Sequence, residues 1–210
     1  MGEIKGTIFI IDDDVSVRRC LSSFLMTYDY CVETYSSSEE FLSREPYEGI
    51  GCILLDLDLG GKSGLELQEE LSRLDSHIPI IFITGHGTIH LSVETLKKGA
   101  VNFLEKPFKN EELIDSISEA IMLCNNAKAE NDEARSAKYL IDKLTSRESE
   151  VLKYLITGML NKQIASELNI AEQTVKIHRG NICKKLEVKS VPEIIHIAEK
   201  SVSVGSWKKY

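Results

Sequence analysis

Across its first 125 residues the chain alternates short apolar runs with stretches of helical period. The runs cover residues 8–11, Cys31–Tyr35, 52–55, 79–83 and 101–104. Helical patterns occupy Val15–Met26, 39–42, 65–74, Ile89–Lys97 and a stretch from Glu111 onward. Runs so continuously apolar predict strands buried on both faces, the condition of a parallel sheet covered by helices. Five such units in about 120 residues predict a five-stranded, doubly wound α/β sheet. In that architecture chemistry collects at the carboxyl ends of the strands.

Those ends carry a specific set. The first run ends in Asp12-Asp13-Asp14, the third in Asp56, the fourth in Thr84-Gly85 and the fifth in Glu105-Lys106-Pro107. Three carboxylates, a hydroxyl and an ammonium are thus expected around one crevice. Hard oxygen ligands suit magnesium. A carboxylate beside such an ion can attack phosphorus, and the hydroxyl and ammonium can bind phosphoryl oxygens. Taken singly, the acidic run is a surface turn and Lys106-Pro107 a solvated loop. Their joint placement at successive strand ends reverses both readings.

On Ile10-Ile11-Asp12-Asp13-Asp14, Leu54-Leu55-Asp56 with Ser63-Gly64, Ile83-Thr84-Gly85 and Lys106-Pro107-Phe108, residues 4–125 resemble the receiver domain of two-component response regulators. The resemblance implies Asp56 as phosphoacceptor, with Mg²⁺ held by Asp12, Asp13, Asp56 and the backbone carbonyl of Asp58. It implies Thr84 and Lys106 as sensors of the phosphoryl group and Phe103 as the aromatic switch; on its own Phe103 reads as a packed strand residue. One departure stands out: where the family usually has Met-Pro, this chain has Leu59-Gly60, which is expected to loosen a loop touching the site. Asp56-Leu57-Asp58 with Thr84 and Lys106 also resembles haloacid-dehalogenase-type phosphohydrolases. Those carry their paired acid downstream, whereas here it comes first, and no substrate-selecting cap is visible.

Charge divides the chain in two. Residues 1–125 hold 10 basic and 22 acidic side chains, and residues 126–210 hold 15 and 11. An acidic front and a basic back imply different partners. Between them, residues 125–136 contain almost no core-forming side chain and read as a solvated helix or a flexible linker. The stripe Leu113, Ile117, Ala120 and Ile121 fades after Leu123, yet no Pro or Gly appears before Gly158. This predicts a helix running past the first domain as an exposed rod toward Ser136, holding the domains apart. The expected domains are 1–124, a linker at 125–143 that is helical at its start, and an all-α domain at 144–210.

The basic part opens with Thr145-Ser146-Arg147-Glu148, a capping box, and continues as helix, turn and longer helix, the helix-turn-helix pattern. In the longer helix, from about Glu172 to Leu186, Val175, His178, Ile182 and Leu186 share one face. His178 therefore reads as structural. Gln173, Lys176, Ile177, Gly180 and Lys184 lie opposite. The bland reading of that face is a solvated surface; an exposed isoleucine among lysines argues instead for thymine methyls in a major groove. Arg179 and Lys185 flank it and are candidates for phosphate contact. A last helix carries Ile194, Ile195, Ala198 and Val202 on a stripe that reads as core. Residues 144–203 resemble the LuxR/GerE-type DNA-binding domain on Leu144-Thr145, Arg147-Glu148, Val151-Leu152, Gly158, Asn161-Lys162-Gln163-Ile164-Ala165, Leu168, Thr174-Val175-Lys176-Ile177-His178 and Leu186. Thr174 joins the expected DNA contacts. Ala171 stands where the family usually has a capping Ser or Thr.

Nearly the whole chain thus resembles a FixJ/NarL-type response regulator. The resemblance implies a transcription regulator that accepts a phosphoryl group from a sensor histidine kinase and binds double-stranded DNA as a homodimer when phosphorylated. It implies no enzyme activity beyond self-catalysed transfer to Asp56 and autodephosphorylation. The alternative is a phosphorylation-independent DNA-binding protein with a scaffold pseudo-receiver, against which the complete Asp/Thr/Lys set argues. No run approaches the ~18 apolar residues of a membrane span. The scattered Cys20, Cys31, Cys52, Cys124 and Cys183 predict buried thiols in a reducing cytoplasm. Asp58 and His86 are expected at the rim of the crevice, where Asp58 positions water or pairs with His86.

Overall fold

A computed structural model of the chain describes residues 5–74, 76–85 and 89–202. Two compact units divide it, Met1–Lys128 and Ala129–Tyr210.

The first unit alternates strand and helix: β1 (Thr7–Ile11), α1 (Val15–Met26), β2 (Cys31–Tyr35), α2 (Ser38–Leu42), β3 (Gly51–Asp56), α3 (Gly64–Arg73), β4 (Ile80–Thr84), α4 (Ile89–Lys97), β5 (Asn102–Glu105) and α5, which begins at Asn110. The strands form one parallel sheet in the order β2-β1-β3-β4-β5. Because side chains alternate along a strand, Ile8, Ile10, Cys52, Leu54, Ile81 and Ile83 face α1 and α5. Phe9, Ile11, Ile53, Leu55 and Phe82 face the other layer with Phe41 of α2 and Leu67 and Leu71 of α3. β1, β3 and β4 are buried along their whole length. β2 departs from the expectation of two-faced burial: it is an edge strand, paired only with β1, and mostly exposed. Its polar Glu33 and Thr34 belong to that edge.

Local chemistry starts the helices. Asp14 caps α1 by accepting the Ser16 N–H at 2.7 Å, and Ser63 and Glu66 close a capping box on α3. Two thiols break the buried pattern: Cys20 and Cys31 are exposed, Cys183 is half-buried, and only Cys52 and Cys124 lie in the interior. Cys20 sits on the outer face of α1, and Cys31 on the sheet edge.

α5 runs Asn110–Asp142, so residues 125–142 are helical throughout, not at their start alone. An exposed rod toward Ser136 is only partly what forms: Ala134, Ala137 and Ile141 are buried. Their spacing of three and four puts them on one face, and Ile141 joins the core of the second unit. Small alanines let another helix approach closely, an apolar face the sequence composition concealed.

In the second unit α6 (Ser146–Leu155), α7 (Asn161–Glu167), α8 (Glu172–Lys185) and α9 (Val191–Val202) surround Val151, Leu152, Leu155, Ile164, Val175, Ile182, Leu186, Ile194 and Ala198. Thr145 and Glu148 form the expected capping box on α6. Gly158 after α6 adopts φ +80°, and Asn169, between α7 and α8, adopts φ 51°, a left-handed conformation that asparagine tolerates. Arg147 donates to the Leu168 carbonyl at 3.1 Å, tying α6 to the end of α7. Ile194 and Ala198 pack into this core and Ile195 is half-buried, while the Val202 side chain and His86 lie outside the described residues.

Candidate phosphoacceptor site and nucleic-acid interface

The parallel sheet ends all its strands at one edge, and there Asp12, Asp56 and Thr84 are buried while Asp13 is exposed. The Lys106 ammonium donates to Asp12 Oδ2 at 2.8 Å and to Asp56 Oδ2 at 2.7 Å. Its backbone N–H donates to the Thr84 carbonyl at 2.7 Å, fixing β5 beside β4. Asp12 Oδ1 accepts the Asp14 N–H at 2.9 Å, and Asp56 Oδ1 accepts the Asp58 N–H at 3.2 Å. Each buried carboxylate is therefore held at both oxygens. Burial alone would lower the Lys106 pKa, but the hydrogen bonds and charges of Asp12 and Asp56 outweigh it and hold the ammonium protonated. Burial pushes the Asp12 carboxyl up against the pull of Lys106, with repulsion from Asp56 adding to it.

Carboxylate oxygens of Asp12, Asp13 and Asp56 lie within 4.8 Å of one another. An all-oxygen set with one exposed member suits a hard dication that keeps several waters, and magnesium fits it. A cation there would favour the charged form of Asp12 that burial disfavours.

The Leu59-Gly60 loop has one buried and one exposed member. Leu59 is buried against the layer of Phe9 and Leu55, and the Gly64 N–H donates to the Leu57 carbonyl at 3.1 Å. Gly64 has a steric reason: a Cβ there would stand 2.4 Å from the Asp56 carbonyl oxygen. Asp58 is exposed at the rim. Phe103 is half-buried, packed beside the Phe82 layer. One neighbour escaped the sequence reading: Arg18 donates to the Asp12 carbonyl at 2.5 Å. Its signal was position alone, since a helix starting at Val15 turns its fourth residue back over the acidic run.

In the second unit α8 separates as its periodicity predicts. Val175, Ile182 and Leu186 are buried, and His178 is half-buried with its Nδ1 inside and unpartnered. Gln173, Lys176, Gly180 and Lys184 are exposed, as is Ile177 at 56% of its surface; Thr174 is half-buried at the helix start. Arg179 is engaged within the unit, donating to Asn161 Oδ1 at 2.5 Å and so bridging α8 to α7. Lys185, a candidate for phosphate contact, pairs in this structure with the buried Glu148 at 2.7 Å and with the Lys143 carbonyl at 3.1 Å. Burial would raise the Glu148 carboxyl, but Lys185 and the Thr145 cap bring it below its ordinary value. A capping box that recruits a lysine from a helix 37 positions away is not legible locally.

Comparison with known proteins covers both units. Residues 8–118 match the response regulator receiver domain, and residues 142–198 match the bacterial regulatory proteins of the luxR family. The chain is 40% identical over 195 residues to nodulation protein W of Bradyrhizobium diazoefficiens, covering 93% of this chain and 86% of that one. It is 37% identical over 192 residues to the transcriptional regulatory protein FixJ of Rhizobium meliloti, covering 91% and 94%. The structure of the response regulator StyR superposes with a TM-score of 0.81 at 42% identity, covering 93% of this chain and 98% of that one.

Proposed function

The chain belongs to the two-component response regulators that join a receiver domain to a LuxR-type DNA-binding domain, and from that membership we propose that it is a phosphorylation-controlled transcription regulator with Asp56 as its phosphoacceptor. Members of this family regulate transcription and are not enzymes in the ordinary sense. The observation that carries the proposal is the Lys106 ammonium held between the carboxylates of Asp12 and Asp56.

An Asp56 oxygen attacks the phosphorus of a phosphodonor; the new O–P bond forms as the bond to the donor's leaving group breaks, and that group departs with the electron pair. Asp12, Asp13, Asp56 and the Asp58 carbonyl are the proposed holders of Mg²⁺, which would draw charge from the phosphoryl oxygens. The Asp58 N–H, already bonded to Asp56, orients the nucleophile. Lys106 then pairs with a phosphoryl oxygen in place of the carboxylate, and Thr84 offers its hydroxyl to another. A sensor histidine kinase is the proposed donor. The domains are assigned as 1–124 for phosphoryl acceptance and 144–210 for DNA, in a cytoplasmic protein. Gln173, Thr174, Lys176, Ile177, Arg179 and Lys184 are the proposed DNA contacts.

Incubation with acetyl phosphate and Mg²⁺ tests the reading. The protein is expected to be labelled, and Asp56→Asn is expected to abolish the label. An unlabelled wild-type protein that still binds DNA specifically would instead establish the scaffold reading.

A further inference from the structure

The ladder between β1 and β2 stops one rung short beside the acceptor crevice. The Asp12 N–H donates to the Tyr35 carbonyl at 3.2 Å. In a parallel ladder of this register the next donor, toward the Asp12 carbonyl, would be the N–H of Ser37. Ser37 instead starts α2 as its N-cap. Arg18 of α1 fills the missing rung, its Nη1 donating to the Asp12 carbonyl at 2.5 Å from a half-buried position. The Ser36 N–H and hydroxyl, each 2.7 Å from Glu40 Oε2, hold that carboxyl below its ordinary value, with the charge of Arg18 adding to them. Arg18 thus joins α1, the end of β1 and the turn into α2.

The peptide that Arg18 grips is the one between Asp12 and Asp13. Around it the other groups are fixed: Asp12 Oδ1 accepts the Asp14 N–H, Asp12 Oδ2 accepts Lys106, and the Asp14 side chain caps α1. Asp13 differs. Among the described residues no hydrogen bond or ion pair holds its exposed carboxylate, so its place is set by its backbone. That carboxylate reaches toward the loop after β3, where a Cβ on Gly60 would stand 3.6 Å from Asp13 Oδ2. We propose that Arg18 is a positioning residue for the cation site: by holding the Asp12 carbonyl it fixes the Asp12–Asp13 peptide, and with it the Asp13 carboxylate as a metal ligand. The proposal rests on the Mg²⁺ site assigned above.

A peptide plane can rotate between two fixed Cα atoms unless its carbonyl or its N–H is bonded. Here the carbonyl is bonded to a full charge, a stronger hold than a neutral donor gives. Hard dications demand oxygen ligands at set distances, and partners that orient a ligand without touching the metal typically change its affinity by ~10–100-fold. Charge alone predicts the opposite sign, because a guanidinium close to a cation site repels the cation. The sign of the effect therefore separates positioning from a plain field.

Mn²⁺ suits the same oxygen ligands as Mg²⁺, and its free paramagnetic resonance signal disappears on binding, so it serves as the probe for the full-length, unphosphorylated protein. Arg18→Met is expected to weaken Mn²⁺ binding by ~10-fold, although it removes a positive charge. Arg18→Gln, polar but too short to reach the carbonyl, is expected to do the same, and it decides the matter if the apolar side chain prevents folding. Added Mn²⁺ is expected to raise the urea midpoint of the wild type more than that of either variant. Affinity in the folded variants that equals or exceeds that of the wild type would overturn the proposal. Equal gains in midpoint, the mark of a purely structural role, would overturn it too. A wild-type protein that binds no Mn²⁺, or binds it no better than Asp13→Asn does, would remove the cation-site reading itself and the proposal with it.

Discussion

Lys106 shows how one residue sets the chemistry of a site. Its ammonium reaches Asp12 and Asp56 together, so each carboxylate keeps a counter-charge that it could not lose cheaply in a buried position. Asp58 works differently, because its backbone N–H holds Asp56 while its side chain is exposed. Asp58→Asn keeps the backbone anchor and removes a base that could orient water. It is expected to lengthen the lifetime of the aspartyl phosphate, by up to about tenfold and far below the ~10²–10⁴ of a fully positioned general base. Loss of label after removal of the donor measures this; a shorter lifetime would mean that Asp58 shields the phosphoryl group, and an unchanged one that its side chain has no kinetic role. On α8 Ile177 is exposed and Lys176 pairs only with the exposed Glu172 of its own helix at 3.3 Å, whereas Arg179 is tied across to Asn161 of α7. Lys176→Ala and Ile177→Ala are each expected to cost ~1–3 kcal/mol of specific binding. Arg179→Ala is expected to weaken all sequences alike and reduce the salt slope by about one. Binding titrations on operator and random DNA at several salt concentrations separate these; equal loss on both DNAs for Lys176→Ala would make it a phosphate contact.

At the scale of elements, several helix starts are encoded within three residues of the cap, though only the Thr145-Glu148 box reads as a cap in the sequence alone. Asp14, Ser63 and Thr145 each announce the helix that follows. α7 and α8 are exceptions: Leu160 and Ala171 offer no side-chain oxygen to accept an N–H, although Ala171 has extended backbone angles of −69° and 144°. The geometry is already that of a cap, so Ala171→Ser should need no rearrangement. It is expected to stabilise the second unit by about 1 kcal/mol, read as a higher denaturant midpoint with unchanged slope. β2 and the end of α5 were misread for a common reason. Hydropathy reports the neighbours a residue prefers, and both elements depended on which neighbours they received. β2 received one strand instead of two; at the end of α5, Ala134 and Ala137 are buried and Ile141 joins the core of the second unit, which the composition of 125–136 did not advertise.

For the whole molecule, the acidic first part and the basic second part suit a phosphoryl-transfer site in one and nucleic acid in the other. Phosphorylation at Asp56 adds about −2 charge beside Lys106 and Thr84. The expected consequence is a shift of Thr84 and Phe103 and the appearance of a dimer face on α4 and β5. Val93 and Leu96 of α4 are large apolar side chains left exposed there, whereas Val101 is packed against the core. Sedimentation with a beryllofluoride phosphoryl mimic is expected to convert monomer to dimer, and a monomer at saturation would rule out this route of activation.

The sequence by itself determined the five strands, their covering helices, the crevice of Asp12, Asp56, Thr84 and Lys106, and the two faces of α8. Strand ends in a parallel sheet must converge, and 3.6-residue periodicity must separate a helix into faces, whatever else the chain does. Tertiary structure alone decided the rest: that Arg18 reaches the Asp12 carbonyl, that Leu59 is buried beside the loop after β3, and that Lys185 pairs with Glu148. Each of these depends on which distant side chain arrives within about 3 Å. Hydrogen bonds and buried ion pairs are too short-ranged and too directional for residue type and spacing to specify.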